Sequence, residues 1–137
     1  MPTKQEWLIE KRLVQVHFIG ELSIHDIVEA LETSARFVDA GDSPSVHFLH
    51  DWTQLDKFPT NILQIMRSVN VRLAHPERVG WMVAYGSDNR LMRYVSQTVL
   101  QIMRIKFRTF STREDALAYL CHMDATLPQI PPVPDRV

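Results

Sequence analysis

The chain has one cysteine, four glycines and no apolar run of membrane length, and each scarcity removes a class of protein. A lone thiol, Cys121, cannot close an internal disulfide, which excludes disulfide-stapled secreted scaffolds and points to a reducing compartment. No apolar stretch approaches the ~20 residues that span a bilayer. The opening MPTKQEWLIEKR also lacks the apolar centre of a secretion signal. The expected location is the cytoplasm. Charge of one sign is scarce as well: 15 Lys plus Arg stand against 16 Asp plus Glu, a net charge of −1. That balance supplies no long-range field for a polyanion, so nucleic acid is excluded as the default partner. Weak self-repulsion leaves self-association open. What is present is ordinary globular composition, 45% hydrophobic and 23% charged over 137 residues. A single domain of that length buries about 68–70% of its unfolded surface, which excludes disordered and fibrous classes.

Hydrophobic periodicity sets the order of elements. Residues 5–9 and 12–19 are short apolar segments split by Glu10-Lys11; in the second, Val14, Val16 and Phe18 alternate with Gln15 and His17, a strand signal, and the pair reads as a hairpin. After Gly20, Ser23 and Asp26 form a capping arrangement ahead of Ile24, Ile27, Val28, Leu31, Ala35 and Val38 at helical spacing. The opposite side carries Glu29, Glu32 and Asp39, and Gly41 is placed to end the helix in a left-handed conformation. A strand over 45–51 then stops at Asp51 and opens into a polar, aromatic-bearing loop, with Thr60 capping a helix whose stripe is Ile62, Ile65, Met66, Val69 and Leu73. The apolar run at 78–86 reads as a central strand. Ser87, Asp88 and Asn89 cap a helix over 89–105, with Leu91, Met92, Val95, Val99, Ile102 and Met103 inward. Arg90, Arg93 and Arg104 lie along its other side, a surface for an acidic partner such as the Glu29, Glu32, Asp39 face of a second subunit. A strand at 107–110 and a helix capped by Ser111 and Glu114, with Leu117 and Leu120 inward, complete the domain.

The order β-β-α-β-α-β-α-β-α predicts an α/β domain over residues 1–123. Its sheet is mostly parallel with right-handed crossovers and an antiparallel N-terminal edge strand. Residues 124–137, with Pro128, Pro131, Pro132 and Pro134, read as an extended tail. Leu127, Ile130 and Val133 in it are candidates for burial against another subunit, so a homo-oligomer is expected.

Four segments carry a resemblance: the hairpin ending in VHFIG, the strand-loop-helix HFLHDWTQL…TNILQIM, the buried strand RVGWMVAYG and the closing STREDALAYL. Over roughly residues 5–122 the chain resembles the STAS or SpoIIAA-like family, the fold of bacterial anti-sigma-factor antagonists. The resemblance implies a SpoIIAA-like fold and a non-catalytic regulatory domain that binds a protein partner. In the sigma-factor antagonists a Ser or Thr at the start of the helix after the second parallel strand is phosphorylated as a switch. The matching region, 51–62, has no Asp-Ser-Gly type motif and offers only Thr53 and Thr60. A likeness of other members to CRAL-TRIO lipid-binding modules implies a second function, binding of an apolar or amphipathic small molecule.

Sites in open α/β sheets lie beyond the carboxyl ends of strands, which directs attention to 51–61 and 85–90. His47 and His50 are three apart on a strand and point to opposite faces, so they do not form a metal pair. His50 and Asp51 could form an acid–base pair only if Asp51 already lies in the turn. Trp52 and Phe58 are large apolar groups in a polar loop and either fold back onto the core or form a pocket rim or contact surface, with Met66, Met92 and Tyr85 as further pocket walls. The turn Tyr85-Gly86-Ser87-Asp88-Asn89, with Arg90, could hold an anion. The candidate ligand or partner surface is thus His50, Asp51, Trp52, Phe58, Tyr85, Ser87 and Arg90. No residue is assigned to catalysis, no metal or cofactor is called for, and Cys121 reads as an inert structural thiol.

Overall fold

The computed structural model describes residues 2–42, 44–70 and 75–128. Strands β1 (Thr3–Ile9) and β2 (Leu13–Glu21) form the antiparallel hairpin, and Lys11 takes the positive φ of 64° that its turn requires. There follow α1 (Ile24–Ala40), β3 (Val46–Lys57), α2 (Ile62–Ser68), a single 3-10 turn at Pro76–Arg78, β4 (Val79–Tyr85), α3 (Arg90–Ile102), β5 (Lys106–Phe110) and α4 (Arg113–Met123). The five strands lie in the order β1-β2-β3-β4-β5, and every pair after the first is parallel.

This order has a consequence for where a ligand can sit. Each crossover from β2 to β5 steps one strand in the same direction. With a constant right-handed connection, α1, α2 and α3 must all cover one face. They do: Ile27, Ala30, Ile65, Val95 and Val99 pack on Val16, Phe48 and Met82. Helix α4 follows the last strand and covers the other face, with Ala116 and Leu120 against Leu13, Leu49 and Val83. The strand order never reverses, so the crevice that forms at a reversal in doubly wound sheets does not exist here.

Several local expectations are corrected. The strand expected to end at Asp51 runs on to Lys57, because β2 pairs with it through Glu21↔Lys57. The middle of the sheet is β3, and β4 lies one place nearer the edge. Gly41 has φ −83°, so it ends α1 in extended rather than left-handed backbone; a side chain there would collide with Val46. Asn61, not Thr60, caps α2, accepting from the Gln64 N–H at 3.0 Å, and Thr112, not Ser111, caps α4. Leu73 lies outside the described residues, as do Ile130, Val133 and the rest of the tail from 129, whereas Leu127 is buried beside Leu120. Cys121, read as an inert structural thiol, is exposed on α4.

Gly80 owes its place to close approach as well. A Cβ on it would strike the imidazole of His47 and lie 3.0 Å from the Val46 carbonyl oxygen. Gly80→Ala is expected to lower the unfolding free energy by about 1–3 kcal/mol, the usual cost of overpacking, measured as a shifted midpoint in urea with an unchanged slope.

Candidate functional site

Along the first half of β3, alternate side chains go to different layers. His50 and Trp52 face α1–α3, while His47 and Asp51 face the α4 side. His50 and Asp51 therefore cannot act together, and the acid–base pair expected of them is not formed. Asp51 pairs instead with His17, its register partner on β2: His17 Nδ1 lies 3.2 Å from Asp51 Oδ2. The other carboxylate oxygen accepts from the Thr53 amide at 2.9 Å and the Thr53 hydroxyl at 2.6 Å. Tyr85 is the Cα partner of Asp51 on β4, and burial followed by the negative charge of Asp51 pushes its phenol up to about 12. Gln15, two residues before His17, is buried on the same side and donates to the Leu49 carbonyl at 3.0 Å.

Gln15 and His17 had no place among the candidate residues. Their alternation along β2 was legible, but only the β2–β3 register brings His17 opposite Asp51 across 34 positions of sequence. The group is a connected polar network on a half-covered sheet face, with a carboxylate that orients one imidazole.

A second polar group closes the amino end of the same face. His47 Nδ1 accepts the Trp81 N–H at 2.9 Å, so its Nε2–H donates to Asp124 at 2.7 Å and the ring is neutral. Burial lowers the His47 pKa below the ordinary 6.5, outweighing the opposing pull of Asp124. Arg12 binds the same Asp124 oxygen at 3.0 Å and the Thr126 hydroxyl at 2.7 Å. Burial acts to raise the Asp124 pKa, but hydrogen bonds from His47 and from the Thr126 side chain and amide prevail and hold it at about 2. The cluster pins the end of α4 to the sheet.

On the α1–α3 side the two aromatics fold back on the core. Trp52 packs on Phe107 at 6.0 Å between ring centres, and His50 meets Phe18 edge to face at 5.0 Å. Together with Phe58, they line an apolar cavity of about 60 Å³. That is well below the ~300 Å³ of a site for a drug-sized ligand. Tyr85 lies across the sheet and is no part of it, and Met66 and Met92 pack in the core without lining it. Burial alone pushes His50 down to about 4. Ser87 accepts the Asn89 N–H, and Asn89 caps α3 by accepting from Met92; the helix end has its partner, and Arg90 points to solvent.

Helix α3 is less buried than its pattern implied. Met92, Val95, Ser96, Val99 and Leu100 face the sheet. Leu91 and Ile102, both expected inside, are 56% exposed, and Tyr94 is 63% exposed. Among the described residues no three His, Cys, Asp or Glu side chains gather as a metal site, and no helix is long and apolar enough to cross a membrane.

These features define a STAS/SpoIIAA-like domain: one α/β layer pair, an antiparallel first strand, four parallel strands and a lone helix on the second face. The SpoIIAA-like family matches residues 13–121, and the chain belongs to that family. The crystal structure of a DUF3478-family protein with a SpoIIAA-like fold from Shewanella loihica PV-4 is similar, with a TM-score of 0.53 and 18% identity over 87% of this chain and 92% of that one. No curated protein sequence matches the chain.

The buried histidines set a pH dependence. Each titrates near 6.5 when unfolded, whereas in the fold His47 lies lower and His50 at about 4. Between those values the unfolded chain binds more protons, so stability is full above about pH 6.5 and falls on acidification. Urea unfolding at pH 7 and pH 5 is expected to show this loss. His50→Gln should flatten the slope by up to about 1.4 kcal/mol per pH unit. Asp124, at about 2 against an ordinary 3.8, adds a second fall only below about pH 4.

Proposed function

We propose that the protein is a non-catalytic interaction domain of regulatory type that docks a protein partner on the outer side of α3. The observation that carries this reading is the exposed stripe Leu91, Tyr94 and Ile102, with Thr98 half-buried between them at helical spacing. Large apolar side chains are removed from water when a partner covers them, and an amphipathic helix face is a recurring docking surface. Arg90 and Arg93 on α3 and Arg104 just beyond its end are exposed and outside the ion pairs formed among the described residues. They favour a partner with an acidic rim, and a second copy of the chain brings one in the exposed Glu29, Glu32 and Asp39 of α1. Membership of the SpoIIAA-like family supports the same class of function. A phosphorylation switch is not needed: Thr53 is tied to Asp51, and Thr60 is an exposed residue one place before the cap of α2.

A photo-crosslinking amino acid at position 94, compared in cells with one at exposed Ala118 on α4, tests the reading. Discrete adducts are expected from position 94 alone, at twice the chain mass if the partner is a second copy. Leu91→Arg should abolish them while changing stability by no more than about 0.5 kcal/mol. Equal labelling from both positions, or adducts indifferent to Leu91→Arg, would refute it.

A further inference from the structure

We infer that the outer edge of β1 is a self-association surface, on which a second copy of the chain lays its own β1 antiparallel about a two-fold axis at Gln5. Strand β1 ends the sheet: β2 pairs with one side of it, and among the described residues no backbone group bonds to the other. A strand edge of seven residues leaves a row of donors and acceptors that another strand can complete.

The β1–β2 register says which groups those are. The Ile19 N–H donates to the Pro2 carbonyl at 2.7 Å, and hydrogen-bonded pairs alternate from there, so Lys4 and Glu6 turn their backbone groups toward His17 and Gln15. Thr3, Gln5 and Trp7 therefore present N–H and C=O outward. The side chains of Lys4 and Glu6 share the sheet side of His17 and Gln15. Both are exposed, and neither joins an ion pair among the described residues. On the other side α1 holds the strand in place before a partner arrives: Gln5 donates to the Ala30 carbonyl at 2.8 Å, and Trp7 meets Phe37 edge to face at 4.9 Å.

Charge chooses the register. With the axis at Gln5, Gln5 meets the second copy's Gln5, and Thr3 and Trp7 meet its Trp7 and Thr3. All three outward residues are used, each pair exchanging two backbone bonds. Lys4 then faces the second copy's Glu6, and Glu6 its Lys4, in the closer positions with Cα atoms about 4.5 Å apart. Opposite charges so placed stabilise a pair of strands, and like charges destabilise it. Moving the axis one residue sets Lys4 against Lys4 or Glu6 against Glu6. Moving it two sets Lys4 against Pro2 or Glu6 against Leu8, and both ion pairs are lost.

The opposite edge of the sheet lacks this property. Strand β5 carries only Lys106 and Arg108 as charges, so self-pairing brings positive against positive. Both lie over rings, Lys106 on Trp81 and Arg108 on Tyr119. A lysine on an edge strand is a common defence against stray strands. On β1 the nearby glutamate turns that defence into a selector for one register of one partner. The surface is separate from the outer side of α3 and holds whether or not a protein docks there.

Cysteine pairing tests the register in the full chain, with Cys121→Ser as background because Cys121 is exposed. Lys4→Cys and Glu6→Cys proteins, mixed and oxidised, should link to each other, since opposite Cα atoms about 4.5 Å apart lie within disulfide reach. Neither should link appreciably to itself, because the same position in the two copies is about 8 Å apart. Leu91→Arg, which alters only the α3 surface, should leave the mixed product unchanged. In sedimentation equilibrium, Lys4→Glu and Glu6→Lys should each weaken the dimer at least about tenfold. The double exchange sets Glu opposite Lys again and should return it to within about threefold of the unsubstituted chain. An unsubstituted chain still monomeric at about 1 mM, as an edge covered by the chain's own residues would give, overturns the assignment. So do self-linked products as abundant as the mixed one, or a double exchange no better than the single ones.

Discussion

The constraint on which the rest of the molecule depends is the double burial of β3. From Val46 to Trp52 every residue is buried, and consecutive side chains enter different layers. Phe48 and Leu49 show the rule in its simplest form: both are fully buried, one under α1–α3 and the other under α4. Each such burial contributes about 1.5–3 kcal/mol. A slip of one residue would exchange the two sets and drive His47 and Asp51 into the apolar layer, away from the partners that neutralise them. Register here is held by packing on one side and by hydrogen bonds on the other.

The two polar groups on the α4 side answer to that same register. At the amino end, His47 accepts the Trp81 amide and donates its Nε2–H to Asp124, which also receives Arg12. At the carboxyl end, Asp51 is shared by His17 and Thr53, beside a Tyr85 that burial and charge keep protonated. Each network surrounds a carboxylate with donors, which is what a partly buried anion requires. A satisfied network is a structural device first. Two buried groups without a partner among the described residues, Trp52 Nε1 and Ser96 Oγ, lie on the opposite face, in the apolar layer.

The helices divide the labour in the same way. The single-sided placement of α1, α2 and α3 follows from a sheet order that never reverses. It removes the usual ligand crevice, and two other features stand apart from the rest of the fold. One is the outside of α3, where Leu91, Tyr94 and Ile102 meet solvent. The other is the small apolar cavity of about 60 Å³ beneath the helices, which Trp52, Phe58 and Phe107 help to line.

By itself the sequence determined the α/β class, the order of elements, the antiparallel first strand and the separation of His47 from His50, because these follow from periodicity and from two-residue alternation. It also placed most helix starts to within a residue, missing Asn61 and Thr112 because neighbouring Ser and Thr residues satisfy the same capping rule. Only the tertiary structure decided how far β3 runs, since Lys57 is a strand residue through its pairing with Glu21 rather than through its own propensity. It alone joined Asp51 to His17 instead of its neighbour His50, because a register contact over 34 positions leaves no local trace. The outward turn of Leu91 and Ile102 was hidden for a related reason: their helix is apolar over a broad arc, and the sheet, not the pattern, chose which part of that arc to bury. Trp52 was visible from the start as an unusual residue in a polar stretch. Its burial next to Ser96, from a helix more than forty residues away, needed the fold.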